Sequence, residues 1–259
     1  MTAQRSPTPS RNPGGFTTDW PYGPLADSGY GNPSFYHQFY DDFDNALGAT
    51  GLYTVTAASG SVAHSAGDGG LALFTTGASA GNFAEIQLPA ASFTLPQGTL
   101  AGKKLFWLGR LQLSDVTNSI MIAGLCNITT TPFSAVADGV YFQKPNSSAT
   151  LNIISTIAST ATTTAIPTSA YTLANATSID LAFYIDWYGN LNVFVGAQLF
   201  GYQQESGGGP STPVRGRCLQ ISGLSLSTAN LSPTLAVSNG TAASAKTMTV
   251  DFHGAMKER

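Results

Sequence analysis

Three histidines, fourteen carboxylates and two cysteines are the residues of this 259-residue chain with the most capacity for chemistry. His64 stands beside Ser65 and four residues before Asp68. These are the residue types of acyl transfer, in which a base takes the hydroxyl proton and an acid orients the base. Such a triad is assembled in space and not by adjacency, and no nucleophile elbow leading from a strand into a helix is expected. His37 falls on a strand face with Phe35, Phe39 and Phe43, the place of a satisfied core or edge histidine, and His253 falls two residues after Asp251, on the same strand face. Asp41, Asp42 and Asp44 cluster as calcium ligands do, but the chain has no DxDxDG loop with a closing glutamate and no HExxH. They read as solvated turn carboxylates. Glycoside cleavage needs two carboxyl groups about 5 to 10 Å apart across a cleft. The candidate pairs are Asp180 with Asp186 and Asp41 with Asp251, while Glu85 stands alone between Phe83 and Leu88. No catalytic residue, metal or cofactor is therefore expected, and the chain reads as a non-enzyme. Cys126 and Cys218 lack CxxC spacing and read as buried free thiols, with a disulfide between them left open.

Two other groups of residues suit binding. Trp187, Tyr188 and Asn190 surround Gly189 in a turn, the mixture of rings and hydrogen-bonding groups found at interfaces and on glycan-binding surfaces. Residues 1–34 are rich in proline and glycine, which forbid regular helix or strand, yet Phe16, Trp20, Tyr22, Leu25 and Tyr30 punctuate them. A solvated linker has little use for large rings, so this segment reads as an extended N-terminal arm whose side chains dock in pockets of its own domain or of a neighbour.

The elements that must carry these residues are strands. Hydrophobic residues make up 42% of the chain and charged residues only 10%, against about 25% charged in ordinary soluble domains. Aromatic content of 10% and a net charge of -3 exclude disorder, and the scarcity of Glu and Lys excludes surface helices. With a pI near 5.4 and no basic cluster beyond Arg215 and Arg217, nucleic-acid binding is excluded. No apolar run approaches the ~20 residues of a membrane span, and the first residues lack the apolar core of a secretion signal, so cytoplasmic assembly is expected. A surface with about one charge per 400 Å² repels its neighbours weakly and suits a subunit of an assembly.

From residue 35 onward, period-2 alternation recurs between turn signals, giving strands at 35–43, 52–57, 71–75, 83–88, 104–113, 119–126, 139–144, 150–157, 179–186, 191–195, 231–237 and 247–256. The clearest unit is a hairpin in which Ile179, Leu181, Phe183 and Ile185 alternate with polar or small residues before Leu191, Val193 and Val195 resume the pattern. Strands with one apolar face must cover it, so the fold class is all-β: a single antiparallel two-sheet jelly-roll sandwich at 35–259, preceded by the arm.

Residues 39–44, 138–142, 183–195 and 250–252 resemble the strands and hairpin of the concanavalin/laminin-G type of jelly roll. The low-charge texture, rich in Ala, Ser, Thr and Gly, is similar to that of virion structural proteins of tailed bacteriophages, and among them capsid decoration, or cement, proteins. This resemblance spans about residues 35–256 and transfers no functional residue one by one. It implies a subunit assembled in the host cytoplasm and placed on the capsid surface of the virion, with the major capsid protein and copies of itself as partners. It also implies that the first and last strands pair, so that arm and tail leave one side of the sandwich. A carbohydrate-binding or receptor-binding fibre module with a glycan ligand is the alternative, and a glycan-degrading enzyme the third reading.

Overall fold

The structure, a computed structural model, describes residues 36–44, 51–66, 70–96, 103–168, 171–186, 188–196 and 217–259. The arm residues Phe16, Trp20, Tyr22, Leu25 and Tyr30 lie outside them, as do Asp68, Trp187 and the side chain of Cys218. Sixteen strands run through the described residues, without a helix. In chain order they are β1 (Tyr36–Asp41), β2 (Thr54–Ala58), β3 (Ser61–Ser65), β4 (Leu71–Thr75), β5 (Phe83–Gln87), β6 (Phe93–Thr94), β7 (Leu105–Leu113) and β8 (Ile120–Cys126). There follow β9 (Gly139–Lys144), β10 (Asn152–Ile157), β11 (Thr160–Ala165), β12 (Ser178–Ile185), β13 (Leu191–Val195), β14 (Arg217–Ile221), β15 (Asn230–Ser238) and β16 (Thr247–Glu258).

They form two antiparallel sheets. The first has the order β14-β13-β12-β7-β16-β4-β3, with β1 paired to the far half of β16; the second has the order β11-β10-β9-β8-β15-β5-β2, with β6 paired to β15. The expected pairing of first and last strands is present, Tyr36 opposite Glu258 through Asp41 opposite His253.

Alternation puts one face of each sheet into a shared core. Trp107 and Phe183 from the first sheet meet Phe142 from the second, with ring centroids 5.7 to 6.2 Å apart. Such rings are among the largest apolar areas a core can bury, and their packing holds the sheets face to face. The outer faces carry smaller clusters. Tyr36, Phe106 and Met256 lie on the first sheet, and Ile122, Cys126, Tyr141, Ile154 and Ala236 on the second.

Four strands were not expected: β3, β6, β11 and β14. Of these, β3 and β11 are edge strands of mostly exposed Ser, Thr and Ala, which show no contrast between faces for a period-2 pattern to reveal. His64, considered with Ser65 and Asp68 for acyl transfer, sits on β3 opposite Ala72.

Candidate functional site

The hairpin expected from its alternation is the β12–β13 pair, in register from Leu181 opposite Val195 to Ile185 opposite Leu191. Its turn is built on one carboxylate. Asp186 Oδ1 accepts the Tyr188 and Asn190 amides at 2.9 Å each, and Oδ2 accepts Asn190 Nδ2 at 2.9 Å. Gly189 closes the turn at φ +78°, a conformation that side chains resist. These bonds engage the Asn190 amide inside the turn and leave Tyr188 90% exposed at the tip.

The tip has a defined neighbourhood. Ile185 pairs with Leu105, and Leu105 with Lys257, so the turn lies at the same end of the sheet as the start of β7, the end of β16 and the start of β1. Lys103, Lys104, Lys257 and Arg259 collect there, with Glu258 accepting the Lys104 amide at 3.0 Å. Lys103 donates to the main-chain oxygen of Arg259, and Lys257 to Thr94 Oγ1. Burial, with Lys103 nearby, lowers the Lys257 pKa. This end combines an exposed ring on a fixed turn, the half-buried Lys103, the exposed Arg259 and the meeting of the start of β1 with the end of β16, while Lys104 and Lys257 are buried.

The carboxylates considered for catalysis are engaged elsewhere. Arg110 on β7 binds Asp180 at 2.6 Å and Asp251 at 3.4 Å, and its guanidinium lies 5.4 Å from the Phe252 ring. Asp186 holds the hairpin turn. Asp41, expected in a solvated turn, is buried: its Oδ2 accepts the Tyr53 hydroxyl at 2.7 Å, and its Oδ1 the Phe43 amide at 2.9 Å. His253 Nε2 lies 2.8 Å from the same Tyr53 oxygen. The single hydroxyl proton goes to the carboxylate, so Nε2–H is the donor to Tyr53, and Nδ1 is left buried without a partner. Burial lowers the His253 pKa to about 3 and keeps the ring neutral.

His253 and Asp251 do not share a face, contrary to expectation. A β-bulge between Val250 and Phe252 resets the alternation, sending His253 inward and leaving Asp251 to Arg110 on the outer face. His37 is half-buried against the Phe93 ring, 4.6 Å away, and its pKa is lowered by burial and by Arg259 and Lys257. A GxSxG spacing does occur, at Gly77-Ala78-Ser79-Ala80-Gly81, but it forms the connection from β4 to β5 and leads into a strand, so it is no nucleophile elbow. Among the described residues no three His, Cys, Asp or Glu side chains gather as metal ligands do. Cys126 is a free, buried thiol.

One further feature, on the outer face of the second sheet, has no signal in the strand pattern. Residues 127–138 leave the sheet and lie back across it, with Phe133 and Val136 packed on Ile122, Cys126, Tyr141, Ile154 and Ala236. Beneath them Glu85 is fully buried, and burial pushes its pKa up to about 8.

No protein-family model and no curated protein matches the sequence. Solved structures are nevertheless similar in fold. Peanut lectin superposes with a TM-score of 0.56 at 9% identity, over 86% of this chain and 97% of that one. The CBM2 module of the evolved Dit of Lactobacillus casei BL23 phage J-1 gives 0.53 at 9% identity, over 86% and 96%. The fold is a lectin-type jelly roll. Endo-β-1,4-glucuronan lyase of the fungus Trichoderma reesei shares it, with a TM-score of 0.52 at 11% identity over 84% and 94%. Binding domains and an enzyme thus stand on one scaffold, and function must be argued from the residues of this chain.

Proposed function

We propose that the chain is a non-enzymatic structural subunit of a tailed-phage virion, a decoration or cement protein that binds the assembled capsid and copies of itself. The observation that carries this reading is the end of the sandwich where Tyr188 stands 90% exposed on a turn fixed by Asp186, at the same end of the first sheet as the half-buried Lys103 and the exposed Arg259. An aromatic anchor with few rotatable bonds, on a turn fixed before binding, loses little conformational entropy when it docks, and cations at the same end favour an acidic partner surface. Sparse charge elsewhere limits repulsion between packed copies. A subunit that binds the completed shell and not its dissociated parts stabilises that shell by its binding free energy. Residues 1–34, with Phe16, Trp20, Tyr22, Leu25 and Tyr30, would extend the contact to neighbouring capsid subunits.

The test is binding to undecorated shells of the phage that encodes the chain. Tyr188→Ala and deletion of residues 1–34 are each expected to weaken binding at least tenfold, which corresponds to about 1.4 kcal/mol. If both variants bind as tightly as the full chain, this use of the tip and the arm is wrong.

A glycan-binding module is the second reading, favoured by the likeness in fold to peanut lectin and to the phage CBM2 module. It predicts glycan affinity that is lost in Trp187→Ala and Tyr188→Ala. Glycan binding by a chain that ignores shells would replace the first reading with the second. Absence of product from glucuronan and other polysaccharides is expected under both.

A further inference from the structure

The loop across the outer face of the second sheet is closed at its neck and pinned along its length. At the neck, the Asn127 amide donates to the Asp138 carbonyl at 2.9 Å, and Asn127 Oδ1 accepts the Ala137 and Asp138 amides at 2.8 and 3.1 Å. Ser134 and Ala135 donate to the Thr131 carbonyl, giving the tip its own turn. Gln87 on β5 pins one side, its Oε1 accepting the Thr129 amide at 3.0 Å and its Nε2 donating to the Asn127 carbonyl at 3.1 Å. Phe83, on the same face of β5, pins the other through Phe133, with ring centroids 6.1 Å apart.

Glu85 lies between these two pins. Its side chain emerges on the same face as Phe83 and Gln87, is fully buried, and has no hydrogen-bond partner among the described residues on either carboxyl oxygen. A buried carboxylate without a donor is among the most costly groups a fold can hold, whereas a buried carboxylic acid is tolerable.

The groups facing Glu85 do not supply a counter-charge. β2 offers Thr56, opposite Glu85 in the ladder, and β15 offers Ala236 and Thr234. β8 offers Cys126 and β9 offers Tyr141, both with pKa raised by burial and both neutral near pH 7. The acid of the loop itself, Asp138, is at the neck, where its Oδ1 accepts the Ser227 hydroxyl at 2.6 Å and the Ala158 amide at 3.2 Å.

We propose that residues 128–136 form a lid held shut over the second sheet while Glu85 keeps its proton, and released when that proton passes to solvent. Opening hydrates the carboxylate and uncovers the apolar patch of Ile122, Cys126, Tyr141 and Ile154. The closed state takes up a proton that the open state gives up. Its stability is therefore full below the ordinary carboxyl value of 4.5 and declines as pH rises toward 8, with no further loss beyond.

Hydrogen exchange of the full chain between pH 5 and 9, corrected for the intrinsic chemical rate, tests this. In the peptide covering residues 127–138 the opening constant is expected to rise by up to about tenfold per pH unit and to level off near pH 8. Peptide-mapped alkylation of Cys126, corrected for thiolate fraction, is expected to follow the same curve. Glu85→Gln should give a flat profile. A flat wild-type profile, or an equal pH response in Glu85→Gln, would overturn the proposal. Should that variant fail to fold, NMR titration of the Glu85 carboxyl carbon in the wild-type chain decides: a midpoint near 8 supports the lid, and one near 4.5 contradicts it.

Discussion

His253 and Glu85 are ionisable side chains buried in their neutral forms, and they bend the stability of the molecule in opposite directions with pH. The unfolded chain protonates His253 below pH 6.5 while the folded chain refuses the proton until about pH 3, so this contribution is present above 6.5 and is lost as pH falls. Glu85 works the other way, its contribution being complete below 4.5 and lost as pH climbs toward 8. Taken together, these two groups place maximum stability between about pH 4.5 and 6.5, with limbs of up to about 1.4 kcal/mol per pH unit on either side. Urea denaturation across pH 3 to 9 should show His253→Gln flattening the acid limb and Glu85→Gln the alkaline one. Limbs unchanged by these substitutions would show that other groups govern the profile. Tyr53→Phe removes the hydroxyl shared by Asp41 and His253. It leaves a buried carboxylate oxygen without its donor, an expected loss of about 1 to 3 kcal/mol in the same assay.

Two glycines set limits on the strands and turns. At Gly124, in the middle of β8, an added Cβ would lie 2.5 Å from the Tyr141 Cα on the neighbouring strand, so the backbone itself would have to shift. Gly124→Ala is expected to cost about 1 to 3 kcal/mol by overpacking. Gly189, in the hairpin turn, has open space around it but sits at φ +78°, so Gly189→Ala should cost only the left-handed backbone penalty of about 1 to 2 kcal/mol. A thermal midpoint for Gly124→Ala above that of Gly189→Ala would contradict the overpacking read at β8. The same elements show what a sequence can reveal. β4, β9 and β13 fall on the residues where strands were read: buried and half-buried positions alternate along β4, while β9 and β13 are buried almost throughout and were marked by their apolar residues between turn signals. β3 and β11 escaped detection because Ser, Thr and Ala at a sheet edge look alike on both faces. The hairpin turn with Tyr188 was legible. The separation of Asp251 from His253 was not, because a bulge depends on the partner strand, and neither was the burial of Glu85, which depends on a loop some forty residues away.

At the scale of the whole molecule, the low charge of the sequence acquires a location. Cations gather at the end of the first sheet with the exposed tip, where the start of β1 meets the end of β16. The outer face of the second sheet is instead closed over by a loop, so the proposed lid and the proposed attachment end are separable, and losing the one would leave the other intact. Glu85→Gln is accordingly expected to bind shells as the wild-type chain does, while Tyr188→Ala does not. The proposed role is tested most directly by cosedimentation of the purified full chain with assembled, undecorated tailed-phage shells. The account predicts saturable binding to intact shells, weakened at least tenfold by Tyr188→Ala and not by Glu85→Gln. A chain that stays in the supernatant at every shell concentration would contradict it.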